Sequence, residues 1–263
     1  MKKRILTLLA AVCLLSAVLS GCGGGSQNGT TGTTDQSTAN TQTEGPAARA
    51  AAGELNVGIA QDLESSLDPY QMTAAGTREV MFNVFEGLVK PDSDGNYVCA
   101  VASDYQVSED GLTYTFTLRD GVVFHNGATC TPDDVLYSFE TCAATSWTSA
   151  VVEALSAVTD TVVDGNQITM TLSAPNSDFL SYVASVYIVP ADYADQATKP
   201  VGTGPFKYIS RSVQENIILE KHAEYYGEPA HLDKVTYKIY EDGTALFTAL
   251  DSGSLDLVAH LTM

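Results

Sequence analysis

Basic side chains are scarce in this chain: 13 Lys and Arg stand against 32 Asp and Glu, a formal net charge of −19 at pH 7. A surface so acidic repels nucleic acid and anionic lipid headgroups, which argues against both as ligands of the folded part. Motifs of covalent chemistry are missing as well. There is no GxSxG, SxxK, HExxH or Walker loop, each of which sets a nucleophile, a metal or a phosphate cradle on one turn or helix face. The four histidines, His125, His222, His231 and His260, include no pair at i,i+4, and the five cysteines show no CxxC spacing. Neither an enzyme nor a metal site is therefore expected, and no cofactor. Asp133-Asp134 and Glu64 with Asp68 come nearest to paired carboxylates, but the first suits a helix start and the second a loop. No internal repeat is visible. The long apolar run, Ile5 to Leu19, is too short to cross a bilayer.

That run has a different meaning. Lys2-Lys3-Arg4 precede it and Ser20-Gly21-Cys22 follow it, the order of a secretory signal over residues 1–21. Cys22 directly after Leu-Ser-Gly resembles a bacterial lipobox, in which Cys22 is lipidated and becomes the mature N-terminus; an ordinary signal with an incidental Cys22 is the alternative. Loss of Lys2, Lys3 and Arg4 leaves ten basic residues against 32 acids, a net −22. Residues 22–53 then read as a disordered tether of Gly, Ser, Thr, Gln and Asn, which cannot bury enough apolar surface to offset the entropy of ordering. Thirty such residues reach about 30 Å, enough to clear a membrane surface. Cys99, Cys130 and Cys142 remain, an odd number that leaves at least one free thiol or an intermolecular pair. A Cys130 to Cys142 bridge stays open.

From Glu54 onward the pattern becomes that of a folded domain. Glu54 to Ala60 alternates as a strand, and Thr77 to Glu86 carries Val80, Met81, Val84 and Phe85 on one helical face. Asp104 to Val107 and Thr113 to Arg119 pair across a Glu109-Asp110-Gly111 turn, with Tyr114, Phe116 and Leu118 alternating with threonines. Thr131-Pro132-Asp133-Asp134 has the chemistry of a helix start, Thr131 as N-cap and Pro132 at the first helical position. His125 reads as a turn or packing residue, and Trp147 as core or cleft aromatic. A hairpin is expected over 158–172, a helix capped by Asn176 to about Ala184, a buried strand over 187–189, a second hairpin over 206–221, a strand over 235–240, a helix over 244–250 and a last strand over 255–258. Strands and helices mix without a regular βαβ beat, so the expected class is α+β, or mixed α/β built round β-rich lobes.

Four stretches together carry a resemblance. EDGLTYTFTLRDGVVFHNGATCTPDDVLYSFE (109–140) is similar, over about thirty positions, to the signature of the family 5 extracellular solute-binding proteins, the oligopeptide- and dipeptide-binding components of ABC importers. Ser66-Leu67-Asp68-Pro69 with Val84-Phe85-Glu86-Gly87-Leu88 resembles that family's opening, and Pro200 to Phe206 its GTGP element. Tyr225-Tyr226-Gly227, Leu232-Asp233 and Ala249 to Leu257 resemble its later motifs. The resemblance implies a periplasmic-binding-protein-like class II fold, with residues 54–89 and 188–263 as a discontinuous first lobe and 90–187 as an inserted second. The closing third lobe is expected to be missing from this chain, which stops at Met263, and the half cleft to hold peptide weakly.

The resemblance also implies where the solute sits. In peptide-binding members the loop after the SLDP element offers main-chain groups to an extended peptide, which puts Tyr70, Gln71, Met72, Thr73, Ala74 and Ala75 at the cleft. Ala259, His260, Leu261 and Thr262 are the hinge candidates. The implied protein is a monomeric, lipid-anchored receptor outside the cell membrane or in the periplasm, passing peptide to permease subunits without covalent chemistry. A peptide-sensing lipoprotein of the same fold, a carrier of nickel or another family solute, and a structural surface lipoprotein are the alternatives.

Overall fold

The computed structural model describes residues 53–145 and 148–259; the signal, Cys22, most of the tether, Trp147 and the hinge candidates His260, Leu261 and Thr262 lie outside the described residues. The chain enters through β1 (Glu54–Ile59), as its alternation predicts. A loop of buried Leu63, Leu67, Tyr70 and Met72 leads to α1 (Ala75–Met81). The helix stops well before the expected Glu86. Residues 82–85 leave it because the Asn83 and Val84 carbonyls are taken from outside, by the N–H groups of Phe206 at 3.1 Å and Gly204 at 2.9 Å. A carbonyl so engaged points away from the helix ladder.

Two short strands, β2 (Val89–Pro91) and β3 (Tyr97–Cys99), follow as an antiparallel pair. β4 (Ala102–Val107) and β5 (Thr113–Leu118) then begin a four-stranded antiparallel sheet. α2 (Pro132–Thr145) and α3 (Ser149–Ser156) come next, before β6 (Val158–Asp164) and β7 (Gln167–Leu172) complete the sheet in the order β4-β5-β7-β6. Tyr114, Phe116 and Leu118 lie buried on one face with Ile168, Met170 and Leu172, opposite register partners bringing Tyr114 to Met170 and Phe116 to Ile168. Between them Thr115 and Thr169 share a hydroxyl contact at 3.2 Å. This is the period-2 pattern of the sequence made into one apolar face.

The start of α2 differs in detail from expectation. The Thr131 hydroxyl donates instead of capping: it and the Thr131 N–H both go to Asp134 Oδ2 at 2.8 Å, while the Thr131 carbonyl accepts from Asp134 N at 3.1 Å and Val135 N at 3.3 Å. Asp134 Oδ1 meanwhile accepts from Ala191 N at 2.9 Å. One first-turn carboxylate thus closes the helix end, where the dipole favours negative charge, and ties it to a distant loop. Helix α4 (Phe179–Val183) is shorter than expected, and Asn176 acts one step earlier, its Oδ1 accepting from Asp178 N at 3.0 Å in a turn before the helix.

Ile188 and Val189 are buried and Tyr187 partly so, but residues 187–189 form no strand. Ile188 N reaches Glu86 O at 2.9 Å, and the next donor, Val189 N, goes to the Ser138 hydroxyl of α2 at 3.0 Å. A side chain has taken the place of a ladder partner, so extended backbone is satisfied without a sheet.

The chain then builds a five-stranded sheet round β1. β8 (Phe206–Ser212) and β9 (Asn216–Lys221) form a hairpin, and β10 (Lys234–Ile239) joins antiparallel to β9 and parallel to β1. Helix α5 (Gly243–Asp251), capped by Asp242 through Ala245 N, leads to β11 (Leu257–Val258) on the other side of β1. The order is β11-β1-β10-β9-β8. Leu255, read from the sequence as strand, instead packs with Leu246 and Ala249 of α5. A continuous core of buried side chains runs from this sheet through residues 80–89 to the four-stranded sheet. Cys99, Cys130 and Cys142 are all free thiols, so the Cys130 to Cys142 bridge is not formed.

The two chain crossings between the sheets, residues 83–89 outward and 186–205 on the return, lie against each other, joined by Ile188 N to Glu86 O and Gly204 N to Val84 O, each at 2.9 Å. Glycine is required there: a Cβ on Gly202 would sit 2.2 Å from Val84 O, and one on Gly204 2.5 Å from Asn83 O. His125 staples the same place. Its N–H donates to Gly202 O at 3.0 Å, its Nδ1 accepts from Gly202 N at 3.3 Å, and its Nε2 bonds Gly204 O at 2.9 Å.

Candidate functional site

A cleft of about 420 Å³ opens between the loop before α1 and the helical side of the four-stranded sheet. Pro69, Tyr70 and Arg78 form one wall; Tyr97 of β3, Cys142 of α2 and Val151 of α3 meet them, and Ser181, Ser185 and Tyr187 close the far side. It is the size of a small-solute pocket.

The loop wall is held by a chain of charged side chains. Arg211 on β8 pairs with Asp62 at 2.9 Å and donates Nη1 to Glu64 O at 2.6 Å and Nη2 to Leu63 O. Burial opposes ionisation of Asp62, but bonds from Arg211, Gln214 N and Leu63 N outweigh it and hold the carboxyl below its ordinary value. With its backbone fixed, Glu64 reaches across to residues 73 and 74. Its carboxylate accepts from Thr73 N and Ala74 N, each at 2.9 Å, and from the Thr73 hydroxyl. The Glu64 carboxyl is likewise lowered: its slight burial raises it, and those three bonds together with the charge of Arg78 more than reverse this.

These contacts sort the six loop residues expected at a ligand. Tyr70 lines the cleft with a buried ring, its hydroxyl donating to Tyr187 O at 2.7 Å; burial pushes that phenol upward. Gln71 is exposed and folds back on Asp68 at 3.1 Å. Met72 points its side chain into the core, 1 % exposed, and offers a solute only its backbone. Thr73, Ala74 and Ala75 are exposed at the surface. The N–H groups of residues 70 to 74 are all spent, on Asp68 or on Glu64. No described residue donates to the carbonyls of Tyr70, Gln71 and Met72. The loop therefore meets a solute as an acceptor. Of the hinge candidates, Ala259 is described: it is exposed, and its N–H bonds Gly58 O at 3.1 Å.

Sequence reasoning missed Arg78, Tyr97, Cys142, Ser181, Ser185 and Tyr187. One signal was available: Arg78 is the single basic residue between Arg49 and Lys90. The rest come from a short strand, helices and turns whose cleft-facing sides carry no distinguishing pattern. Among the described residues no three His, Cys, Asp or Glu side chains converge as metal ligands would, and no helix is long and apolar enough to cross a membrane.

Residues 96–263 match the family described as bacterial extracellular solute-binding proteins, family 5 middle. The nickel-binding periplasmic protein of Escherichia coli K12 is 28% identical over 185 residues, 66% of this chain and 35% of its own length. Among solved structures, DppA of Helicobacter pylori in complex with the peptide STSA is 30% identical, with a TM-score of 0.73 over 80% of this chain and 47% of its own. AgaA of A. tumefaciens R10 in complex with agropinic acid is 31% identical, with a TM-score of 0.70 over 78% and 43%. The chain spans about a third of the curated relative and less than half of either solved chain. Its periplasmic-binding-protein fold, mixed α/β, is theirs. With the matched segment covering well over half of its length, this protein belongs to family 5 of the bacterial extracellular solute-binding proteins.

Proposed function

We propose that this protein is the lipid-anchored solute receptor of an ABC importer, capturing peptides outside the membrane and delivering them to permease subunits. The observation that carries the reading is the cleft itself: a pocket of solute size, walled by aromatic rings and serine hydroxyls, beside a loop whose unclaimed groups are carbonyls. Those carbonyls of Tyr70, Gln71 and Met72 suit the N–H groups of an extended peptide, with the Ala74, Ala75 and Gly76 surface leaving its backbone room to approach. In this reading residues 54–89 with 188–263 form one lobe and 90–187 another, Ala259 to Thr262 act as the hinge, and the protein works as a monomer. Cys22 carries the lipid and residues 23–53 the slack that lets the receptor meet its permease. No step of the work breaks a covalent bond.

A second reading, a solute other than a peptide, draws support from the nickel-binding and agropinic acid-binding relatives. One experiment separates the two. The gene is deleted and uptake of labelled di- and tripeptides is measured beside uptake of nickel. Loss of peptide uptake alone supports the first reading, and loss of nickel uptake alone the second. Unchanged uptake of both, with peptide still bound by the purified protein, would turn the assignment to sensing. Cys22→Ala is expected to release the protein from the membrane fraction.

A further inference from the structure

The charges that line the cleft say which part of a solute it is built to hold. Among its described lining residues Arg78 is the one ionised side chain, and no Asp or Glu reaches the walls. That runs against composition, because acids outnumber bases 32 to 13 along the chain. A cleft of one sign in a field of the other concentrates ligands of the opposite charge.

Arg78 is also placed to act. It projects from α1, half-buried, with Nη1 donating to Thr73 O at 3.0 Å. Its charge is felt by Tyr187 on the opposite wall. Glu64, the carboxylate that also feels it, is turned to the backbone of Thr73 and Ala74. At the other end, Ser181 and Ser185 give their hydroxyl protons to Asp178 O at 2.7 Å and Ser181 O at 3.0 Å, so they face the cleft as acceptors. The cleft is polarised along its length, cationic at α1 and accepting at α4.

We propose that Arg78 is the anion-reading residue of this cleft and that its solute carries a carboxylate, held by the guanidinium while its N–H groups turn toward Ser181 and Ser185. The inference rests on the solute-capture reading and deepens it. A planar guanidinium holds a carboxylate by two parallel charge-assisted bonds, which an ammonium cannot reproduce.

The test titrates the isotope-labelled full chain with N-acetyl-Ala-Ala and with its C-terminal amide, following backbone and arginine side-chain resonances; succinate and inorganic phosphate are the other arms. Wild type is expected to bind the acid about tenfold more tightly than the amide, with shifts at Arg78. Arg78→Gln should bring the acid down to the level of the amide and leave the amide unchanged, a pattern that a merely loosened loop would not give. Arg78→Lys should fall between. Succinate shifting the same resonances supports carboxylate recognition and extends it to organic acids. Phosphate competing as well as succinate would overturn the carboxylate assignment. Equal binding of acid and amide by wild type would overturn the role of Arg78 while solute capture stands, and silence of every probe would overturn both.

Discussion

Lowering the pH should loosen the junction between the two sheets before it touches any carboxylate. His125 and His222 meet there edge to face, ring centroids 4.8 Å apart, and both bond the Gly204 carbonyl. Burial holds both imidazoles below the ordinary histidine value, that of His125 down to about 3. Geometry gives the same answer: His125 Nδ1 is already the acceptor for Gly202 N–H, and His222 Nε2 is buried with no partner for an added proton. The charges facing the pair are Lys207, which disfavours a proton on either ring, and Glu224, which favours one on His222. A histidine kept neutral by folding contributes stability that is present above its unfolded value and lost as the pH falls below it. From about pH 7 to about pH 5, His125 alone should cost about 2 kcal/mol, and His222 adds a loss of the same sign. The lowered carboxyl of Asp62 begins to matter only near the ordinary aspartate value of 3.8, outside this window. Urea unfolding followed by circular dichroism at both pH values measures the loss. His125→Gln keeps a donor for Gly204 O and cannot titrate, so its loss should be smaller by about 2 kcal/mol. Equal pH dependence in variant and wild type would refute the reasoning.

Arg211→Ala strands the buried Asp62 carboxylate and frees the loop that carries Glu64, so urea unfolding should show a loss of about 3–5 kcal/mol; a loss below about 1 would mean the pair is as weak as a surface one. Gly202→Ala drives a Cβ into the Val84 carbonyl, where backbone cannot yield as a side chain would, and should cost more than about 4 kcal/mol or leave no soluble protein, read from the melting curve. Phe116→Ala, at 0 % exposure in the centre of the four-stranded sheet, should cost about 3–5 kcal/mol, and a smaller change in the urea midpoint would mean that the site collapses round the gap.

The parts of the fold readable in advance are those whose bonds are local. Alternation in Thr113–Leu118 announces a strand with one buried face, and the Asp164-Gly165-Asn166 turn announces its partner hairpin, with Gly165 at a φ of +58°. Residues 82–85 and 187–189 were misread for the opposite reason. Their apolar patterns fit helix and strand, but their backbone groups are claimed by Gly204, Phe206 and Ser138, partners 51 residues or more away, which no window of sequence contains. The cleft was half readable for the same cause. A loop after Pro69 can be located from its own residues, whereas the wall opposite is assembled from β3, α2, α3 and α4.

This division explains what membership of the family transmits. The motifs that carry the resemblance converge on the junction: Glu86 accepts from Lys90, Tyr225 and Tyr226, Gly202 and Gly204 lie on the Asn83 and Val84 backbone, and His125 binds both glycines. That packing depends on close backbone approach and a buried carboxylate, none of which lines the cleft. The cleft draws on other positions. Pro69 aside, its walls, among them Arg78, Tyr97, Cys142, Val151, Ser181 and Tyr187, fall outside the short motifs that carry the resemblance. Relatives at 28–31% identity that include a nickel-binding protein and receptors in complex with a peptide and with agropinic acid are what such a division produces. Exchanging cleft residues between relatives should therefore move specificity and leave stability nearly unchanged, whereas any change at Glu86, Gly202 or His125 should do the reverse.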